Sequence, residues 1–179
     1  MFEFIGQRET TPAEPAATVE ELREQLSLCE GEESDTLLLG MILRAQGAIE
    51  ARTQRMLSPR SVRLAYRGHG SELKLFACPV NSITSVESDG EPVTGFRFSE
   101  FGIRPRLILP ETCGGELVVT ADCGYSAEAL PAVLKMLVLE LAADLYEHRE
   151  SQAETSLTEN STFRMVCDLF TIYDIGGVQ

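Results

Sequence analysis

Histidine is scarce in this chain, and the residues that most often hold metals are not grouped. The two histidines, His69 and His148, lie far apart, and the five cysteines, Cys29, Cys78, Cys113, Cys123 and Cys167, contain no Cys-x-x-Cys pair. Such spacing excludes the usual zinc sites, and no metal or other cofactor is expected. An odd, dispersed set of thiols reads as free buried cysteines. No glycine-rich phosphate loop and no nucleophile elbow is present. Long uncharged apolar runs are also missing: Lys135 and Glu140 break the best candidate, so no segment reads as a bilayer span. The opening MFEFIGQRETTPAEP has no basic start leading into an apolar run. It therefore does not read as a secretory signal, and an intracellular origin is the expectation. Basic residues are few, 15 Lys and Arg against 28 Asp and Glu, for a formal net charge of −13. That balance weighs against general nucleic-acid binding, which draws its affinity from cations set against phosphates.

What the chain does have is enough apolar residue, 44% over 179 positions, to build a core for one domain or one domain with a sizeable insertion. The most informative stretch is 130–150, LPAVLKMLVLELAADLYEHRE. Leu134, Leu137, Val138, Leu141 and Leu145 recur at helical spacing, while Val133, Met136, Leu139, Ala142 and Ala143 cover most of the remaining circumference. A helix apolar on nearly every side is either central in its domain or covered by something outside it. Glu140 and Asp144, four residues apart, form its wetted stripe or partner a cation. With His148 they are the sole basis for a hydrolytic reading, and one helix cannot supply a concave pocket. No enzymatic activity is expected.

Earlier in the chain, Thr18-Val19-Glu20-Glu21 is a capping box that opens a helix with Val19, Leu22 and Leu26 on one face. A second helix carries Leu38, Met41, Ile42, Ala45 and Ile49. A short link between two amphipathic helices favours an antiparallel hairpin. From 61 to 125 the texture changes to alternating β-branched and aromatic residues. Strands are predicted near 61–66, 73–77, 82–88, 95–98, 106–109 and 116–120, with turns at Gly68 and Gly70, at Asp89-Gly90 and at Gly114-Gly115. The expected fold class is α+β: a helical body (N-terminal helix hairpin, long central helix, C-terminal helix) with an inserted antiparallel β subdomain. Its expected parts are a flexible arm at 1–17, a main domain at 18–150, and a linker with a C-terminal docking segment at 151–179. Within the main domain the helices are placed at 18–28, 35–55 and 130–150, and the β insertion at 61–125.

Two groups of residues are candidates for contact with other molecules. Phe163, Val166, Leu169, Phe170 and Tyr173 share one face of a short amphipathic helix beyond a polar linker, a pattern suited to docking or to folding back on the chain itself. Between Arg44 and Arg67 there are six arginines against the single acid Glu50. Of these, Arg52, Arg55, Arg60, Arg63 and Arg67, with Glu140 and Asp144 as acidic counterparts, are candidates for contacts between copies or with a partner. A solvated face is the alternative for the arginines.

In their order, these motifs resemble the head-to-tail connector (adaptor) proteins of long-tailed bacteriophages and prophages. The resemblance covers about residues 15–150. It runs from Pro15-x-x-Thr18-Val19-Glu20-Glu21-Leu22-x-x-x-Leu26 through Asp35-x-Leu37-Leu38, Ile42, Ala45, Ala48-Ile49-Glu50 and Thr53. It continues with Val80-x-x-Ile83-x-Ser85-Val86, Asp89-Gly90, Leu117-Val118-Val119-Thr120 and Gly124-Tyr125, and closes with Leu130-Pro131 and Leu145-Tyr146-Glu147-His148-Arg149-Glu150. One departure is the chain's end, Asp174-Ile175-Gly176-Gly177, where similar proteins often carry basic residues. The resemblance implies a structural virion protein that forms a homo-oligomeric ring, commonly of twelve subunits, beneath the portal protein. Such a ring extends the DNA channel, lets DNA pass without sequence-specific binding, and offers a platform to a stopper or tail-completion protein. It implies a place at the head-tail junction, host cytoplasm during assembly, and no membrane. The reading from another class is a small acidic cytoplasmic regulatory or protein-binding module without enzymatic activity.

Overall fold

The computed structural model describes residues 1–100, 104–148 and 161–172, which fall into two compact units. The first, Met1–Glu14 with Ser58–Tyr125, is a six-stranded antiparallel sheet. Its strands are β1 (Phe2–Glu9), β2 (Arg60–Lys74), β3 (Val80–Ser88), β4 (Glu91–Pro92), β5 (Arg97–Ser99) and β6 (Arg106–Cys123). The order is β1-β2-β6-β3-β4, with β5 added to β6. Val62, Leu64 and Tyr66 of β2 point inward with Leu117, Val119 and Ala121 of β6, while Arg63 and Arg67 alternate outward. Phe4 of β1 closes this core, its ring 5.4 Å from Tyr66 and 4.8 Å from Phe76. The Arg104 guanidinium lies 4.4 Å over the Phe76 ring.

The second unit, Pro15–Leu57 with Ser126–Gln179, holds the helices described: α1 (Val19–Leu26), α2 (Asp35–Thr53), α3 (Ala132–Glu147) and α4 (Ser161–Phe170). Thr18 caps α1, its hydroxyl accepting from the Glu21 amide at 3.2 Å while the Glu21 carboxylate accepts from the Thr18 amide at 2.9 Å. The core packs Leu22 of α1, Leu38, Ile42, Ala45 and Ile49 of α2, and Leu134, Val138 and Ala142 of α3. Gln46, a long polar side chain buried in this core, accepts from the Ala16 amide at 2.8 Å and donates to Glu50 at 3.1 Å.

This architecture corrects the expected fold class. The chain is sheet-rich with short helices, and it is not a helical body around a long central helix. Three physical causes account for the difference. Residues 2–9, expected as part of a flexible arm, form β1 because Phe2 and Phe4 meet β2, a partner some sixty residues away in sequence. Second, the glycines read as turns do not reverse the chain: Gly68 pairs with Gly115, and Gly70 with Cys113, inside the β2–β6 ladder, whose register shifts only beyond Gly70. With φ of +143° and +89°, Gly68 and Gly115 take backbone conformations that other residues resist. Third, α3 begins behind Pro131 and ends at Glu147, where the side chains turn polar.

Candidate functional site

The C-terminal helix α4 is held against α2 by polar contacts at its end. Arg52 Nη2 donates to Asp168 Oδ1 at 2.8 Å, Arg55 Nε donates to the Phe170 carbonyl at 2.7 Å, and the Ile172 amide donates to the Thr53 carbonyl at 3.3 Å. Val166, Cys167 and Ile172 are buried. The five residues predicted to dock a partner therefore divide. Val166 serves the chain's own packing, Phe163 and Phe170 are half-buried, and Leu169 is 75% exposed; Tyr173 lies outside the described residues. Met165, one turn before Leu169 and 60% exposed, completes the outward face. Sequence reading missed it, although its spacing from Leu169 is the i, i+4 signal.

The arginine-rich run is divided between the two units. Arg52 and Arg55 belong to the helical unit and Arg60, Arg63 and Arg67 to the sheet. Arg60 is buried and pairs with Glu9 at 2.9 Å; Arg63 faces Glu87 at 3.5 Å on the sheet's outer surface. Arg67 is exposed in register with Glu3 and Glu116. An open groove of about 640 Å³ on this surface is lined by Ile5, Ala65 and Val118 together with the charged Arg8, Glu9, Arg63 and Glu116.

On α3, Glu140 and Asp144 point toward one side. Asp144 lies 3.2 Å from His148 Nδ1, an exposed pair at the helix end where a cation also meets the helix dipole. Glu140 and Arg44 have no ionic partner among the described residues. Two helix faces remain open: α3 presents Val133 at 47% and Met136 at 58% exposure beside Glu140, and α2 presents Leu43 at 39% exposure beside Arg44, Gly40 and Gly47. Beyond the helix's own nearby backbone, no described atom lies within 4 Å of where a Cβ would stand at Gly40 or Gly47.

Chemistry is thinly represented. Among the described residues no three His, Cys, Asp or Glu side chains gather as metal ligands, and no helix is long and apolar enough to cross a membrane. The cysteines are only partly buried as a set: Cys123 and Cys167 are, Cys78 and Cys113 are half-buried, and Cys29 is exposed. Burial pushes the Cys123 thiol up to about 12 and raises that of Cys167, which leaves both poor nucleophiles. Glu21 is held below the usual carboxylate range; burial raises it, but hydrogen bonds from Lys135 Nζ at 2.5 Å and from the Thr18 amide outweigh that.

No protein-family model matches the sequence, and no curated protein sequence matches it either. Solved structures do. A chain from the neck of an empty gene transfer agent (GTA) particle with C6 symmetry is 29% identical, with a TM-score of 0.78 over 97% of this chain and 99% of that one. A chain of the virion of a native GTA particle is 26% identical with a TM-score of 0.77, and one from a native GTA neck with C12 symmetry is 28% identical with a TM-score of 0.73; both comparisons span 97% of this chain and 99% of the other. The likeness takes in both compact units, and it supports a protein of the neck or connector type from a phage-like particle.

Proposed function

We propose that this chain is a structural virion protein, a head-to-tail connector or adaptor that forms a ring under the portal protein. The observation that carries this reading is the end-to-end likeness to chains of GTA necks, which themselves have C6 and C12 symmetry. The motif order noted above supports the same assignment independently of the coordinates. In this role the chain works by shape and surface, not by catalysis. Its parts are an adaptor domain over 18–150 and a docking segment over 151–179, with Phe163, Leu169, Phe170 and Tyr173 supplying apolar contact to the portal. Arg67, Glu140 and Asp144 take part in contacts with neighbouring copies or partners. The net charge of −13 suits a DNA conduit, because acidic walls repel phosphates and let a duplex slide. The opposite rim then receives a stopper or tail-completion protein.

The test is genetic and morphological. Removing the gene from the particle-producing cell should give heads that accumulate without tails, with tails assembled separately, and supplying the full chain in trans should restore joined particles. Joined particles in its absence would refute the assignment.

A further inference from the structure

We infer that the open faces of α2 and α3 are the two halves of one contact between copies of this chain. In that contact, Val133 and Met136 of one copy seat against the Gly40–Gly47 notch of the next, and Glu140 faces Arg44. The inference rests on the ring reading proposed above and names the surfaces that would build the ring.

Each helix buries one face in its own unit. On α2 that face is Leu38, Met41, Ile42, Ala45 and Ile49; on α3 it is Leu134, Leu137, Val138, Leu141 and Ala142. At 100° per residue, Gly40, Gly47 and Ala51 lie on the side of α2 opposite its core. By the same geometry Met136, Glu140 and Ala143 lie opposite the core on α3, with Val133 at their edge. Glycine in the interior of a helix weakens it, and neither Gly40 nor Gly47 has a positive φ or a neighbouring atom that would exclude a side chain. Among the described residues nothing calls for glycine at either place. Close approach by a second copy would use that space, and Val133 and Met136 are large exposed side chains on α3 available to fill it.

Charge selects the occupant. Arg44 stands beside the notch and Glu140 beside the apolar knobs, and neither has an ionic partner among the described residues. Gly40 and Gly47 are seven residues apart, as are Val133 and Glu140, so both spans are about 10.5 Å long. With the two spans aligned, Arg44 is offset from Glu140 along the axis by about 4.5 Å if the helices run parallel and about 6 Å if they run antiparallel, close to one turn in either case. The two surfaces differ from one another, so each copy offers a notch to one neighbour and knobs to another. Such a head-to-tail contact propagates around a ring, whereas a contact between identical patches would stop at a dimer.

The test expresses Arg44→Glu, Glu140→Arg, the double reversal and Gly47→Gln, each as the only copy in particle-producing cells, and measures the protein retained per purified head. Both single reversals set like charges across the contact, and each should lower incorporation about tenfold or more. The double reversal restores opposite charges and should recover it to within about twofold. Gly47→Gln fills the notch and should lose incorporation although its helical circular dichroism is kept and its melting temperature is kept or raised, glycine being the poorer helix former. Single reversals that incorporate like the native chain, or a double reversal as poor as the singles, would overturn this interface and leave the connector role standing. Native chain absent from the heads would defeat the connector role and this inference together.

Discussion

Asp122 lies on the outer surface of the sheet and accepts from Ser61 Oγ at 2.6 Å and from Ser82 Oγ at 2.9 Å. These bonds hold its carboxyl below the usual range, with the Ser61 hydroxyl contributing most. A carboxylate whose folded value is depressed adds stability above its unfolded value of about 4, and that contribution drains away as pH falls through the folded value. Asp122→Asn should therefore leave a protein less stable than native at neutral pH, with the difference closing below about pH 4. Urea midpoints measured from pH 7 to pH 2 would show it; a gap that stays constant with pH would contradict the role given to the carboxylate. Gly40 and Gly47 make a second point at this scale: each weakens α2 by about 1 kcal/mol relative to alanine, with no contact among the described residues that requires it.

At the scale of elements, α4 tests how a face is divided between self and partner. Val166→Ala removes two buried methyl groups and should cost about 1.5–2 kcal/mol in whatever free energy docks α4. Leu169→Ala, at a 75% exposed position, should leave stability within about 0.5 kcal/mol while weakening portal binding. Chemical denaturation and portal pull-down distinguish the two; equal loss of stability from both would mean Leu169 is covered by the chain itself. Some elements were legible in the sequence because their determinants are local. The Thr18–Glu21 capping box closes as written, and Asp89-Gly90 turns β3 into β4 with both residues at positive φ. Others were not, because the deciding partner is distant. Gly68 and Gly115 look like turn residues until each is seen paired with the other, and the alternation of β1 is interrupted by a bulge between Phe4 and Gly6. The candidate site was legible to the same degree. Spacing showed that α4 has an apolar stripe, but not that Val166 would face inward and Met165 outward. Counting arginines could not reveal that Arg52 and Arg55 tether α4 while Arg60 pairs with Glu9.

For the whole molecule, the central claim is assembly. Each of the two units is built from segments separated in sequence, and the likeness to GTA neck chains extends over both, covering 97% of the chain. Val133, Met136, Met165 and Leu169 stand in solvent, and these are the apolar side chains that the proposed assembly would cover. The most direct measurement is single-particle electron cryomicroscopy of purified particles whose only copy of this chain carries a compact C-terminal tag. The account predicts a closed ring of tag density at the junction of head and tail, with α3 of each subunit against α2 of the next. Tag density absent from that junction, or confined to the capsid shell or the distal tail, would contradict it.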